Sequence, residues 1–415
     1  MACVLTAAAV SEEEARVSGD YRYLLRPDGT AEIVGYSGEE TAICIPEMLD
    51  GHWVTALGDR AFAEAACSSV SIPLSVTEVG VNPFYNCEEL LSIDVAEGHP
   101  TLATADLVLF SLPDRRLVSY PAGLQLTSYA LPSGLREIGA DAFAWCAFLE
   151  SVRLCDTLEI VGDGAFNMCA SLSAVTLPNS VRTLGESAFA SSGLRQVTLP
   201  VGLEALPDRV FYGCGELTAL NLPATIREIG DEALGFTMIE ALSIPAGVES
   251  IGINPFVGCD ELMRLEVAGA NPRFRMDGPL LTEPETGRVI ACLTRTVGAL
   301  RVPEGIAEIG DWALYGCSEL TEIALPGSLR RIGAGGLNAC MACLSLELPE
   351  GLTELGDLAL ADCFLLERVT LPASLTQLGE GVLEGCEALT AVIVTPGSAA
   401  EQYARTNGLP VTATP

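Results

Sequence analysis

A unit of 22 or 23 residues recurs along almost the whole of this 415-residue chain. Such a recurrence constrains the fold more than any other feature, because repeats of this length build stacked arrays. Segments beginning at Leu172, Leu194 and Leu217 fit one template, L-x-x-V-x-L-P-x-x-L-x-x-I-G-D-x-A-F-x-x-C. Its glycine falls at Gly58, Gly80, Gly139, Gly162, Gly185, then Pro207 in its place, Gly230, Gly252, Gly310, Gly333, Gly356 and Gly379, which makes 12 rows. Two steps are long, 59 residues from Gly80 to Gly139 and 58 from Gly252 to Gly310. They divide the array into blocks of 2, 6 and 4 coils.

Each template position has a physical reading. Val175 and Leu177 lie two apart, so on a strand both point inward while Ala174 and Thr176 point out. Pro178 stops the strand, since it cannot donate to a ladder. Leu184 is expected to bury on the return path. Gly185 allows either a positive φ or a close backbone approach at the corner. The acidic residue after the glycine row precedes Ala-Phe as an N-cap precedes a short helical turn, and Phe189 and its equivalents fill the interior. One unit cannot bury its apolar side alone, but stacked units bury it against each other.

The template resembles the BspA-like leucine-rich repeat, a family of bacterial and protist surface proteins, over about residues 20 to 410. The resemblance implies a β-rich leucine-rich-repeat solenoid with a parallel strand ladder, short helical turns and capped ends. Residues 20–395 are read as one continuous solenoid and 396–415 as a C-terminal cap, in which Ser398 N-caps a short helix ended by Asn407-Gly408. Tyr21 to Val34 resembles the family's N-terminal hairpin, turning at Pro27-Asp28-Gly29. The long steps read as β-hairpin inserts, about 95–130 and 268–300. Leu107–Ser111 and Leu117–Tyr120 form the first, Asp277–Thr282 and Arg288–Leu293 the second. Residues 1–19 look like the end of a secretory signal or a disordered N-terminus. The family implies export to the bacterial cell surface or beyond.

Composition removes several function classes. With 55 acidic residues against 22 basic ones, all of them Arg, the net charge is −33. Nucleic acids and anionic membranes both demand a basic surface, so neither is an expected partner. No apolar run is long enough to span a bilayer. His52 and His99 are the only histidines, and neither G-x-S-x-G nor H-E-x-x-H occurs. No enzyme, cofactor or metal site is expected.

Two side-chain ladders need weighing. Nine of the 15 cysteines (Cys87, Cys146, Cys169, Cys214, Cys259, Cys317, Cys340, Cys363 and Cys386) share one template position. The readings are a disulfide framework, a metal site, or buried free thiols acting as small hydrophobes. Parallel Cβ vectors suit a bridge poorly, and the row also accepts Ser192 and Thr237, so free thiols are expected. Acids follow the glycine at Asp59, Asp163, Glu186, Asp208, Asp231, Asp311, Asp357 and Glu380. They could ligate Ca²⁺, but capping of each coil's own turn is the expected role.

The outward strand positions are mainly Ser, Ala, Thr, Gln and Asn in the middle coils and carry no aromatic anchor, although binding hot spots favour Trp, Tyr and Arg. Binding is therefore expected at the inserts or at the C-terminal block, where Arg264, Arg301 and Arg368 face outward, and the candidate ligand-binding residues are Arg115, Arg116 and Tyr120 in the first insert, with Phe110 and His99 nearby, and Arg273, Phe274, Arg275 and Arg288 in the second. Loops on a rigid scaffold commonly carry function, and these Arg clusters would select acidic groups locally, such as sialylated glycans or sulfated mucins. The plainer reading is that both hairpins only cover the solenoid's side. The expected function is non-enzymatic recognition of a protein or glycan by a monomer; the alternative is a structural spacer with no ligand of its own.

Overall fold

The computed structural model describes residues 15–414; most of the signal-like stretch, residues 1–14, lies outside them. Residues 16–18, expected to belong to that stretch, form a strand antiparallel to Tyr21–Leu25. The described chain makes about 17 turns of β-solenoid. That exceeds the 12 glycine rows because the N-terminal hairpin, the inserts and the closing segment also turn without a glycine corner. It forms two compact units, the second beginning at Gly193.

In the first unit the V-x-L positions form parallel strands. Ser128, Ser151 and Ala174 stand in register across three successive coils. Val175 and Leu177 are buried, each 3% exposed, while Ala174 and Thr176 face solvent. A second parallel ladder, absent from the sequence reading, runs through the two-residue strands Glu137–Ile138, Ile160–Val161 and Thr183–Leu184 on the return path. The corners are hydrogen-bonded from coil to coil at alternate residues, as in Asp141 N to Asp163 O, Phe143 N to Ala165 O and Trp145 N to Asn167 O. Inside them Phe143 stacks on Phe166, and Phe166 on Phe189, with ring centroids 4.8 and 5.2 Å apart.

The second unit repeats this plan. Ser345–Glu347, Arg368–Leu371 and Ala391–Val394 form one ladder. Glu308–Ile309, Arg331–Ile332, Glu354–Leu355 and Gln377–Leu378 form the return ladder. Leu314, Leu337, Leu360 and Leu383 occupy the Phe position and are fully buried. Ser398 accepts the amide of Glu401 ahead of helix Ala399–Thr406, Gly408 sits at φ 68°, and Val411–Ala413 adds a parallel strand to Ala391–Val394.

The corners themselves are not helical turns. Except at Asn82 and Asn254, the residue two after the glycine row is left-handed, as at Asp141 (φ 56°) and Ser187 (φ 54°), and the residue six after is left-handed too, as at Trp145 (φ 67°) and Met168 (φ 60°). Two left-handed residues per corner give a flat bend that no α-helix tolerates. The glycine row has no positive φ; its requirement is space. A Cβ on Gly230 would stand 2.6 Å from Asp208 N and 2.7 Å from Pro207 C, and one on Gly252 would stand 2.8 Å from Asp231 N.

The inserts are three-stranded and join the return ladder. Leu102–Ala105, Val108–Ser111 and Arg116–Ser119 are antiparallel, and the last runs parallel to Glu137–Ile138. Arg275–Asp277, Leu280–Glu283 and Arg288–Cys292 repeat this, the last pairing with Glu308–Ile309. Each insert is announced by Asn-Pro-Phe, at Asn82 and Asn254, which occurs nowhere else in the sequence. Asn82 Nδ2 donates to Asp141 O at 2.7 Å, and Asn254 Nδ2 donates to Trp312 O at 2.7 Å. Each buried amide side chain thus links its own corner to the first corner beyond the insert.

Candidate functional site

The acidic row does something other than capping its own turn. Asp59 Oδ1 accepts Val81 N, Asp163 accepts Glu186 N, Asp208 accepts Asp231 N, Asp231 accepts Ile253 N, Asp311 accepts Ala334 N and Asp357 accepts Glu380 N, at 2.7–2.9 Å. Each carboxylate bonds the amide after the next coil's glycine, and that glycine's missing Cβ leaves room for it. The row is a cross-coil tie. Among the described residues no group of three or more His, Cys, Asp or Glu is arranged to hold a metal.

No disulfide forms among the described cysteines. The thiols of the row donate back to the carbonyl of the preceding coil's Phe or Leu. Cys87 Sγ reaches Phe62 O at 3.0 Å, Cys169 reaches Phe143 O at 3.0 Å, Cys259 reaches Leu234 O at 3.0 Å and Cys363 reaches Leu337 O at 3.4 Å. Thr237 at the same position also donates, but to Leu234 O of its own coil, at 2.9 Å. Burial keeps the donors protonated: the Cys169 thiol is pushed up to about 12, and desolvation also raises Cys146 and Cys340.

The candidate residues in the inserts fall into two groups. Tyr120 and Phe274 are 2% and 4% exposed and belong to the packed interior. His99 is also buried, its Nδ1 accepting the amides of Thr101 and Leu102. In the second insert Arg273 pairs with Glu283 at 3.1 Å, Arg275 with Asp277 at 2.9 Å and Arg288 with Glu308 at 3.6 Å. Its guanidinium groups are neutralised within the insert and the neighbouring coil.

The first insert differs. Arg115 closes its hairpin in a left-handed conformation, φ 51°, is exposed, and its side chain makes no hydrogen bond or ion pair among the described residues. Arg116 is half-buried and lies along the Gly139 corner. Its Nη2 donates to Val79 O at 3.3 Å and lies 3.9 Å from the Asp114 carboxylate, while its buried Nε has no hydrogen-bond acceptor. With Arg136 and Glu137, these two line an open depression of about 620 Å³. Arg136 was not singled out in the sequence, because its approach to Arg115 depends on pairing across the insert: Arg136 N donates to Arg115 O at 2.9 Å.

The corners also carry aromatic residues outside the interior Phe row. Arg60 lies 4.3 Å from the centroid of the Tyr85 ring, whose hydroxyl accepts Trp145 Nε1 at 2.9 Å. In the second unit Tyr212, Phe236, Tyr315 and Trp312 form a chain of edge-to-face rings 5.2–6.5 Å apart. Phe236 and Trp312 lie over Gly258 and Gly335, where any Cβ would strike the rings.

The sequence matches no curated protein. Solved structures of similar chains include a leucine rich cell surface protein from Faecalibacterium prausnitzii A2-165, 25% identical, with 94% of this chain and 97% of that one covered and a TM-score of 0.48. They also include a leucine-rich repeat protein from Bacteroides ovatus ATCC 8483, 22% identical, with 96% and 100% covered and a TM-score of 0.42. The pneumococcal vaccine antigen PcpA is 16% identical, with 92% and 87% covered and a TM-score of 0.44. The model of the BspA type leucine rich repeat region matches six copies, over residues 48–106, 124–263 and 294–403. These copies take up most of the chain, which belongs to the BspA type leucine rich repeat family.

Proposed function

We propose that this protein is a non-enzymatic recognition scaffold of the bacterial cell surface, binding a protein or glycan through its first insert. The single observation that supports this is the depression beside Arg115. It interrupts the uniform coil surface and offers a guanidinium with no partner of its own among the described residues. Packing does not account for that arrangement, because an insert serving only as cover has no need of an exposed Arg whose side chain makes no hydrogen bond or ion pair with the described coils it covers. The surface location rests on family membership. No helix among the described residues is long and apolar enough to cross a membrane.

A spacer is the second reading, and the plain outward face of the middle coils favours it. Incubating the purified chain with arrayed matrix proteins, mucins and glycans separates the two. Recognition gives saturable binding to a restricted set of ligands. A spacer gives none, and that result would overturn the proposal.

A further inference from the structure

We propose that the depression beside the first insert binds a sugar through an oxyanion that the sugar carries, a carboxylate or a sulfate. The inference rests on the recognition reading above and names the chemistry of the ligand. Its basis is a convergence of guanidinium groups from two successive passes of the chain. Arg115 and Arg116 end the insert's hairpin, and Arg136 lies on the next coil, 55% exposed although paired with Glu159. The Glu159 carboxyl is held below its usual range by the Arg136 hydrogen bond first, and then by the charges of Arg136, Arg115 and Arg182.

The lining itself carries three guanidinium groups, those of Arg115, Arg116 and Arg136, against the two carboxylates of Asp114 and Glu137. The rest of the chain is strongly acidic, but at physiological salt distant charges are screened beyond about 8 Å. An oxyanion in the depression thus meets a locally cationic surface. Arg115 can hold it with two parallel N–H groups, the geometry that makes Arg the preferred partner of carboxylate and sulfate. Glu137 and Asp114 remain as acceptors for hydroxyl groups. Burial raises the Glu137 carboxyl above its ordinary range.

The lining argues for a sugar over a peptide. Apart from Pro113 and Ile160 it is charged, so it lacks the apolar pocket that anchors a protein side chain. Its volume of about 620 Å³ is open and shallow enough for one or two rings.

The test uses the full chain, titrated with sialyllactose, with galactose sulfate and with neutral lactose at low and high salt. Binding is read by calorimetry and by saturation-transfer NMR. Arg115→Asn and Arg136→Gln are combined in one variant, since Asn tolerates the left-handed position; circular dichroism checks the fold. Arg275→Gln, in the second insert, is the control. The expected result is saturable binding of an anionic sugar, weakened at least tenfold by the double variant and by salt, and unchanged by the control. Which of the two anionic sugars binds identifies the oxyanion. Failure of both to saturate, or full binding by the double variant, overturns the inference. If arrayed ligands still bind the double variant normally, recognition stands and this site does not.

Discussion

Replacing Asp231 by Ala should expose an amide 22 residues away. Asp231 Oδ1 accepts Ile253 N at 2.7 Å, and its own amide donates to Asp208 Oδ1 at 2.7 Å. It is thus the middle of a relay through three coils. Removing the carboxylate leaves the Ile253 N–H without its acceptor at a half-buried corner. A hydrogen bond to a charged group contributes about 1.5–3 kcal/mol, and partial exposure favours the lower end. That corresponds to roughly a 10- to 100-fold loss of protection against hydrogen exchange at Ile253. Asp231→Asn keeps an acceptor and should lose less. Amide exchange followed by NMR or fragment mass spectrometry resolves the position. If protection falls at residues 232–235 while Ile253 is unchanged, the carboxylate caps its own turn and the cross-coil account is refuted.

Other substitutions test the remaining devices. Ala at Asn82, whose buried side chain also accepts Phe84 N at 3.3 Å, should cost about 2–3 kcal/mol in chemical denaturation and open the first insert to limited proteolysis; unchanged stability contradicts the linking role. Ser187→Gly relieves a left-handed residue at φ 54° and should stabilise by up to about 1 kcal/mol in denaturant titration; a loss of stability contradicts this. Cys169→Ser should be tolerated better than Cys169→Val, because Ser still donates to Phe143 O; the reverse order in melting temperature rules out the donor role. The raised Cys169 thiol also sets a pH dependence. The unfolded thiol ionises near pH 8.5 and the folded one only at about 12, so its contribution is full below about pH 8.5 and fades as pH climbs toward 12. A Cys169→Ser variant should lose only this thiol's share of the alkaline decline, since Cys146 and Cys340 are raised as well; a decline no shallower than that of the wild type between about pH 8.5 and 12 contradicts the assignment.

The forward strands were legible because alternation at period 2 recurs at each step, so Val175 and Leu177 declare an inner face that twelve copies confirm. The return ladder was not, since Ile160–Val161 and its equivalents are two residues long and carry no period. The acidic row was misassigned for a chemical reason. An Asp that caps its own turn and an Asp that accepts the next coil's amide occupy the same position, and only the coordinates place the acceptor at Val81 or Ile253. The glycine row was half legible: space and left-handed φ both call for Gly, and the left-handed residues proved to be its neighbours. Asn-Pro-Phe ahead of both inserts was the missed signal, printed twice in the sequence but needing the structure to show Asn82 reaching across 59 residues. Arg115 was found from composition against an acidic background, whereas Arg136 needed the strand pairing that brings it alongside.

The most direct test of the recognition account is a hydrogen-exchange footprint of the full chain with and without its strongest arrayed ligand. The account predicts added protection confined to the first insert's turn and its neighbouring return strands, around residues 112–116 and 136–138. Protection concentrated on the outward strands or elsewhere, or no saturable ligand at all, would contradict it.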